Sequence, residues 1–180
     1  EGAQVYYAAF STAGESVPKG LPEDILKTEV RKATAILGIP SDNLFVFDYQ
    51  VRKLNYSRQN ILEDLVKLRN ELNPDLILMP SMNDIHQDHT TVAVEGLRAF
   101  KYKTLLGYEL LWNNLQFKTQ CFIRLNKKQV KRKVDALAAY NSQAGKSYMS
   151  QEFIFSLAKT RGVQISADFA ECFEVVRWVI

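Results

Sequence analysis

Apolar residues along this chain follow two rhythms in alternation. Short runs that are apolar throughout predict strands at Gln4 to Phe10, at "NLFVF" (43–47), at "DLILMP" (75–80), at "TQCFIRL" (119–125) and at "FEVVRWVI" (173–180). Between them the apolar residues fall at helical spacing. Ile25, Val30, Ala33 and Leu37 predict a helix over 22–37, and Ile61, Leu65, Leu68 and Leu72 one over 58–72. Ala93, Leu97 and Phe100 predict a helix over 90–101, Val130, Val134 and Leu137 one over 126–140, and a further helix spans 150–160. The punctuation agrees: Gly38 closes the first helix, Ser57 is placed to cap the second, Asn73-Pro74 stops it, and Asn126 is placed to cap the fourth. Gly107, Asn113 and Asn114 mark a loop between Tyr108 and the strand at 119. Strand and helix in alternation predict an α/β fold, a mostly parallel sheet with helices on both faces. A strand as uniformly apolar as "DLILMP" is expected to be covered on both sides.

Composition narrows the class. A chain of 180 residues, 47% apolar and 24% charged, is an ordinary soluble globular domain in size and polarity. A net charge of +3 is too weak for a dedicated nucleic-acid binder, and no nucleic-acid partner is expected. No apolar run reaches the roughly 18 residues of a membrane span. Cys121 and Cys172 form neither a CxxC pair nor a disulfide framework, which points to a reducing, cytoplasmic setting. The opening "EGAQVYYAAF" has no initiator methionine and no signal-peptide pattern, so the chain is expected to begin inside a longer product. Five basic residues, Lys127, Lys128, Lys131, Arg132 and Lys133, share a helix with a buried Val130–Val134–Leu137 stripe and read as its solvated face.

Chemistry concentrates in "NDIHQDHTT". It contains both histidines of the chain, His86 and His89, with Asp84 and Asp88 interleaved. The segment lies between an expected strand and an expected helix, beyond the carboxyl end of the strand, where open α/β sheets bind ligands. Imidazole is the commonest zinc ligand, and a carboxylate beside it fixes its tautomer. The same aspartates also suit turn and cap roles, Asp88 as a cap for the helix that follows. A catalytic zinc site needs about three protein ligands, and this segment offers fewer.

"PDLILMPSMNDIHQDHTTVAVEGLRAFK" resembles the HxDH segment of the PIG-L/LmbE-like zinc-dependent N-acetylglucosamine deacetylases, in particular bacterial members acting on sugars or glycan precursors. "YSRQNILEDLVKLRNELNPDLIL" before it, and "LLGYELLWNN", "ALAAYNSQ" and "LAKTRGVQISADFAECFEVVRWVI" after it, are similar to further landmarks in the same order, so the likeness spans 1–180 as one domain. It implies a Rossmann-like deacetylase that hydrolyses an acetamido group on a sugar with zinc or another divalent metal. By that likeness His89 is a metal ligand, His86 steadies or protonates the tetrahedral intermediate, and Asp88 orients a histidine. Arg58 is comparable to an arginine near the family's pocket and reads either as a substrate contact or as an exposed helix residue, and Glu171, in an "AE" pair like the family's, is expected to support the site from behind. By their own chemistry Tyr108, Trp112, Asn113 and Asn114 offer aromatic faces and amides to a sugar, Tyr108 and Asn113 being the candidate contacts; the alternative is packed aromatics, preferred for Trp112, and turn asparagines. Asp84, interleaved with the histidines, is expected behind them.

The likeness has a gap. The family's HPDD motif, source of two more metal ligands and the general base, has no counterpart, because no histidine lies outside 86–89. A first βα unit of about thirty residues, with a central strand, is expected to be missing. The 180-residue chain by itself is therefore expected to be inactive. The alternative is a glycan-binding or regulatory homologue without a metal site. A phosphodiesterase with paired histidine motifs is excluded for want of a second motif. The expected partner is a small amino-sugar substrate, and self-association is left open.

Overall fold

The computed structural model describes residues 2–180, which gather into two compact units, one running to 51 and including 124–170, the other of 52–123 with 171–180.

In the first unit, β1 (Tyr7–Ala9) pairs in parallel with β2 (Leu44–Val46), Tyr7 opposite Leu44, and α1 (Ile25–Leu37) runs between them in sequence. Gly38 ends α1 as the spacing predicts: its φ of 84° is left-handed, a conformation that costs glycine little, and its amide donates to the Ala35 carbonyl. α4 (Lys127–Ala138) and α5 (Gln151–Val163) bury Val130, Val134, Ile154 and Ala158 together, with Leu125, Phe153 and Phe169 packed around them. Burying one such aliphatic side chain is worth about 1.5–3 kcal/mol. Asn126 caps α4 in a reciprocal box with Gln129. Lys127, Lys128, Lys131 and Arg132 are exposed, as expected of a solvated face, beside an open hollow of about 780 Å³ that Ile36 and Phe155 also line. A buried carboxylate, Glu29, ties α1 to the turn at Ser142, accepting from the Ser142 amide (2.9 Å) and hydroxyl (2.5 Å).

The second unit is built on a sheet in the order β3-β4-β6-β5, with β3 (Leu76–Pro80), β4 (Thr104–Tyr108), β5 (Cys121–Leu125) and β6 (Phe169–Arg177). β3 and β4 are parallel, joined through α3 (Gln87–Ala99), while β4 and β6 are antiparallel. α2 (Arg58–Leu72) packs on α3 through the buried face of Ile61, Leu65 and Leu68 that its sequence spacing predicts. The mixed α/β architecture matches the expected class.

Four local expectations change. The stretch expected to lead into a loop is β4, whose first four residues are all buried, and Gly107 lies inside this strand. Ser57 makes no cap bond, because it closes the 3-10 turn Leu54–Ser57 instead. β3 is not covered on both faces among the described residues: it is the edge strand of its sheet, and Leu76 and Leu78 are 48% and 50% exposed. Finally, α3 begins at Gln87 rather than Thr90, so the histidine segment is the start of the helix itself.

Candidate functional site

Asp84 is the hub of the histidine segment. It lies in the loop between β3 and α3, only 4% exposed. Its Oδ1 accepts the His86 amide at 2.8 Å, its Oδ2 lies 2.8 Å from His89 Nδ1, and its carbonyl accepts the Thr90 hydroxyl at 2.8 Å. One short acidic side chain thus fixes the turn before α3 and one of the two imidazoles.

The two rings are held in complementary states. In the neutral ring, a carboxylate against His89 Nδ1 keeps the proton there, which leaves Nε2 as a lone pair able to meet an electrophile. His86 is the N-cap of α3, and its Nδ1 accepts the Asp88 amide at 3.2 Å. The neutral His86 ring therefore carries its proton on Nε2, as a donor. The rings stack at 4.5 Å between centroids. One imidazole offers a lone pair and its neighbour offers an N–H.

A second loop closes on this pair. The Asn113 amide nitrogen lies 3.4 Å from His89 Nδ1, the Asn113 carbonyl accepts the Ile85 amide at 3.1 Å, and Asn114 forms a β-bridge with Asp84. Asn114 Oδ1 accepts the Leu110 amide, whereas its Nδ2 is buried without an acceptor among the described residues. An unsatisfied buried donor costs about 1–3 kcal/mol.

The other expected residues are placed as follows. Asp88 meets His86 through its backbone amide, whereas its buried carboxylate accepts the backbone amides of Arg52 (2.6 Å) and Leu54 (3.3 Å). Arg52 has a left-handed φ of 66°, and this pair of bonds pins the strained turn before α2. Of the two aspartates, Asp84 is the one whose carboxylate lies against an imidazole. Arg58 is engaged by Glu95, its Nε 2.6 Å from Oε1, while Arg98 takes Oε2 at 2.5 Å. Glu95 is fully buried, so the pair of arginines neutralises a charge between α2 and α3. Tyr108 ends β4 beside Pro80, at the sheet end that carries the histidines, and Glu171 lies two residues before Phe173, the cross-strand partner of Tyr108. Trp112 is 45% exposed, next to Asn113.

From the sequence Asp84 is expected behind the site; its carboxylate lies against both the His86 amide and His89 Nδ1. The available signal is its spacing: an aspartate two residues before one histidine and five before the other can reach both from the turn into a helix.

A metal fits this donor set only in part. His89 Nε2 is a suitable donor, but Asp84 is spent on His89 and the His86 amide. Among the described residues no cluster of three or more His, Cys, Asp or Glu side chains could hold a metal ion. These residues do not make a catalytic metal site by themselves.

The fold and the paired imidazoles define a class: α/β proteins whose HxDH segment begins a helix at the carboxyl end of a sheet strand. The sequence profile of PIG-L, GlcNAc-PI de-N-acetylase, matches residues 1–100. The chain belongs to that family. No curated protein sequence matches it. Among solved structures it is similar to N,N'-diacetylchitobiose deacetylase from Pyrococcus horikoshii, with a TM-score of 0.79 at 17% identity over 97% of this chain and 73% of that one. It is also similar to the conserved protein TT1542 from Thermus thermophilus, with a TM-score of 0.78 at 23% identity over 96% of this chain and 81% of the other. GalB, the 4-carboxy-2-hydroxymuconate hydratase from Pseudomonas putida, shares the fold too, with a TM-score of 0.72 at 18% identity over 96% of this chain and 84% of that one. Identities this low speak for the fold alone, which here accommodates a deacetylase and a hydratase.

Proposed function

We propose that this protein hydrolyses the acetamido group of an N-acetylated amino sugar or glycan precursor, releasing acetate and a free amine. The observation that carries the reading is the placing of the two Nδ1 atoms, that of His89 against the Asp84 carboxylate and that of His86 against the Asp88 amide, which in the neutral rings makes His89 Nε2 a lone pair and His86 Nε2 a donor. Amide hydrolysis needs both. A water oxygen adds to the acetyl carbon and negative charge gathers on the carbonyl oxygen. Donors already aimed at that oxygen stabilise the transition state. The His86 N–H serves as that donor. The C–N bond then breaks, the added oxygen leaves in acetate, and a proton goes to the departing amine.

Zinc or another divalent ion would supply Lewis-acid activation of the water, and His89 is the nitrogen this chain would contribute to it. The described residues leave that site short of ligands. The same shortage supports a second reading, a glycan-binding homologue that holds the sugar without cutting it.

Acetate release from an N-acetylglucosamine glycoside, with zinc supplied, separates the two. Under the hydrolase reading the full-length protein releases acetate, His89→Ala abolishes release, and His86→Ala lowers turnover while the sugar still binds. Saturable sugar binding with no acetate released, by a protein that retains all its residues, supports the second reading and overturns the first.

A further inference from the structure

We propose that Glu174 is a positioning residue that locks the His86–His89 site from the far side of β4. The inference rests on the deacetylase reading for its catalytic consequence and on geometry alone for its effect on the imidazoles.

Glu174 lies on β6, directly across from Gly107 on β4, and Gly107 is in register with Met79 on β3. A carboxylate on β6 would normally be screened from the β3 loop by the side chain of the strand between them. Here that strand has a glycine. A Cβ at Gly107 would crowd the Ser81 backbone, 3.1 Å from its Cα, and would touch Glu174 Oε2 at 3.4 Å, so the glycine lets Ser81 lie close against β4 with the Glu174 carboxylate beside it. It arrives buried, at 4% exposure. Oε2 accepts the Ser81 hydroxyl at 2.5 Å, and Oε1 accepts the Asn83 side-chain amide at 3.1 Å and the Lys118 backbone amide at 3.0 Å.

These three bonds tie together the two loops that enclose His89. Ser81 and Asn83 flank the turn whose next residue is Asp84, and the Ser81 carbonyl accepts the Asp84 amide at 3.1 Å. Asp84 in turn holds His89 Nδ1 and the His86 amide. Lys118 belongs to the loop that carries Asn113 and Asn114, which contact His89 and Asp84 respectively. Both arms start at one carboxylate and converge on one imidazole. A carboxylate in the middle of a strand, bonded to neither histidine, thereby sets where the Asp84 carboxylate sits, and so the His89 tautomer. Partners that act through a ligand in this way typically change activity or affinity about 10- to 100-fold when removed.

The test reads the histidines directly. The chain has only two, so their side-chain ¹⁵N resonances are readily assigned. In the wild type His89 is expected as a single Nδ1–H tautomer. Glu174→Ala is expected to turn this into an exchange-averaged signal. Glu174→Gln, which keeps an acceptor for Asn83 and Lys118, is expected to restore it. Val134→Ala, a core truncation in the other unit, is expected to lower the melting temperature without moving either histidine. If Glu174→Ala does not fold, Asn83→Ala removes one arm at an exposed residue and is expected to shift His89 part of the way. Unchanged His89 resonances in a folded Glu174→Ala or Asn83→Ala protein would overturn the proposal, as would shifts of equal size in Val134→Ala. In acetate-release assays of the full-length protein, Glu174→Ala is expected to lower kcat by about 10-fold or more with KM within about 2-fold. If the imidazoles respond but no variant and no wild type releases acetate, the deacetylase reading fails and the control of His89 by Glu174 stands.

Discussion

At the scale of the residue, the histidine segment turns on which heavy atom each side chain faces. Asp84 faces His89 Nδ1, and Asp88 faces two backbone amides. Two aspartates four residues apart therefore do different work, and substitution should separate them. Asp84→Asn removes the charge that fixes the His89 tautomer and is expected to cut acetate release about 10- to 100-fold with little loss of fold. Asp88→Ala leaves the Arg52 and Leu54 amides without their acceptor and is expected to cost about 1–3 kcal/mol of stability, read as a lower denaturation midpoint. Equal activity losses at unchanged stability in both variants would contradict the division. The segment itself stands out in the sequence as the only place with histidines. The division of labour does not, because it depends on the turn that places the Asp84 carboxylate over the first turn of α3 and on the strained backbone at Arg52, neither of which a residue pattern encodes.

At the scale of the element, periodicity reveals most of what is here. The buried stripes of α2 and α4 and the left-handed stop at Gly38 sit where spacing and end signals put them. What escapes is β4, a short strand whose Gly107 reads as a loop residue until the carboxylate crossing it is seen. Gly107→Ala is expected to destabilise the protein by about 1–3 kcal/mol by crowding the Ser81 backbone, and in Glu174→Ala the same change should cost less, since Ser81 is no longer held in place by the carboxylate and can yield. Thermal melts of the two single variants and the double variant measure this coupling; strict additivity would count against it. The first unit has a separate sensitivity. Burial, reinforced by Tyr7 and Glu29, pushes the Tyr140 phenol well above its usual pKa of 10.0. A phenol raised in the folded state stabilises fully below the unfolded pKa, and this contribution is lost as pH rises from about 10 toward the folded value. Unfolding midpoints are therefore expected to fall with alkaline pH, and Tyr140→Phe should flatten the decline.

At the scale of the whole chain, the fold class and the family follow from features spread across the sequence: apolar strands, amphipathic helices and one HxDH segment at the start of a helix. The profile match to GlcNAc-PI de-N-acetylase over residues 1–100 and the structural likenesses agree with that reading. Among the described residues no helix is long and apolar enough to cross a membrane. What the sequence leaves open is a ligand set for a metal: His89 is one candidate donor, and the described residues hold no cluster of three. The most direct test is acetate release from an N-acetylglucosamine glycoside by the full-length protein with zinc supplied, compared with His86→Ala and His89→Ala. Catalytic release is expected from the wild type, none from His89→Ala, and slow release from His86→Ala. Full activity in both variants, or sugar binding without any acetate from the wild type, would contradict the deacetylase reading.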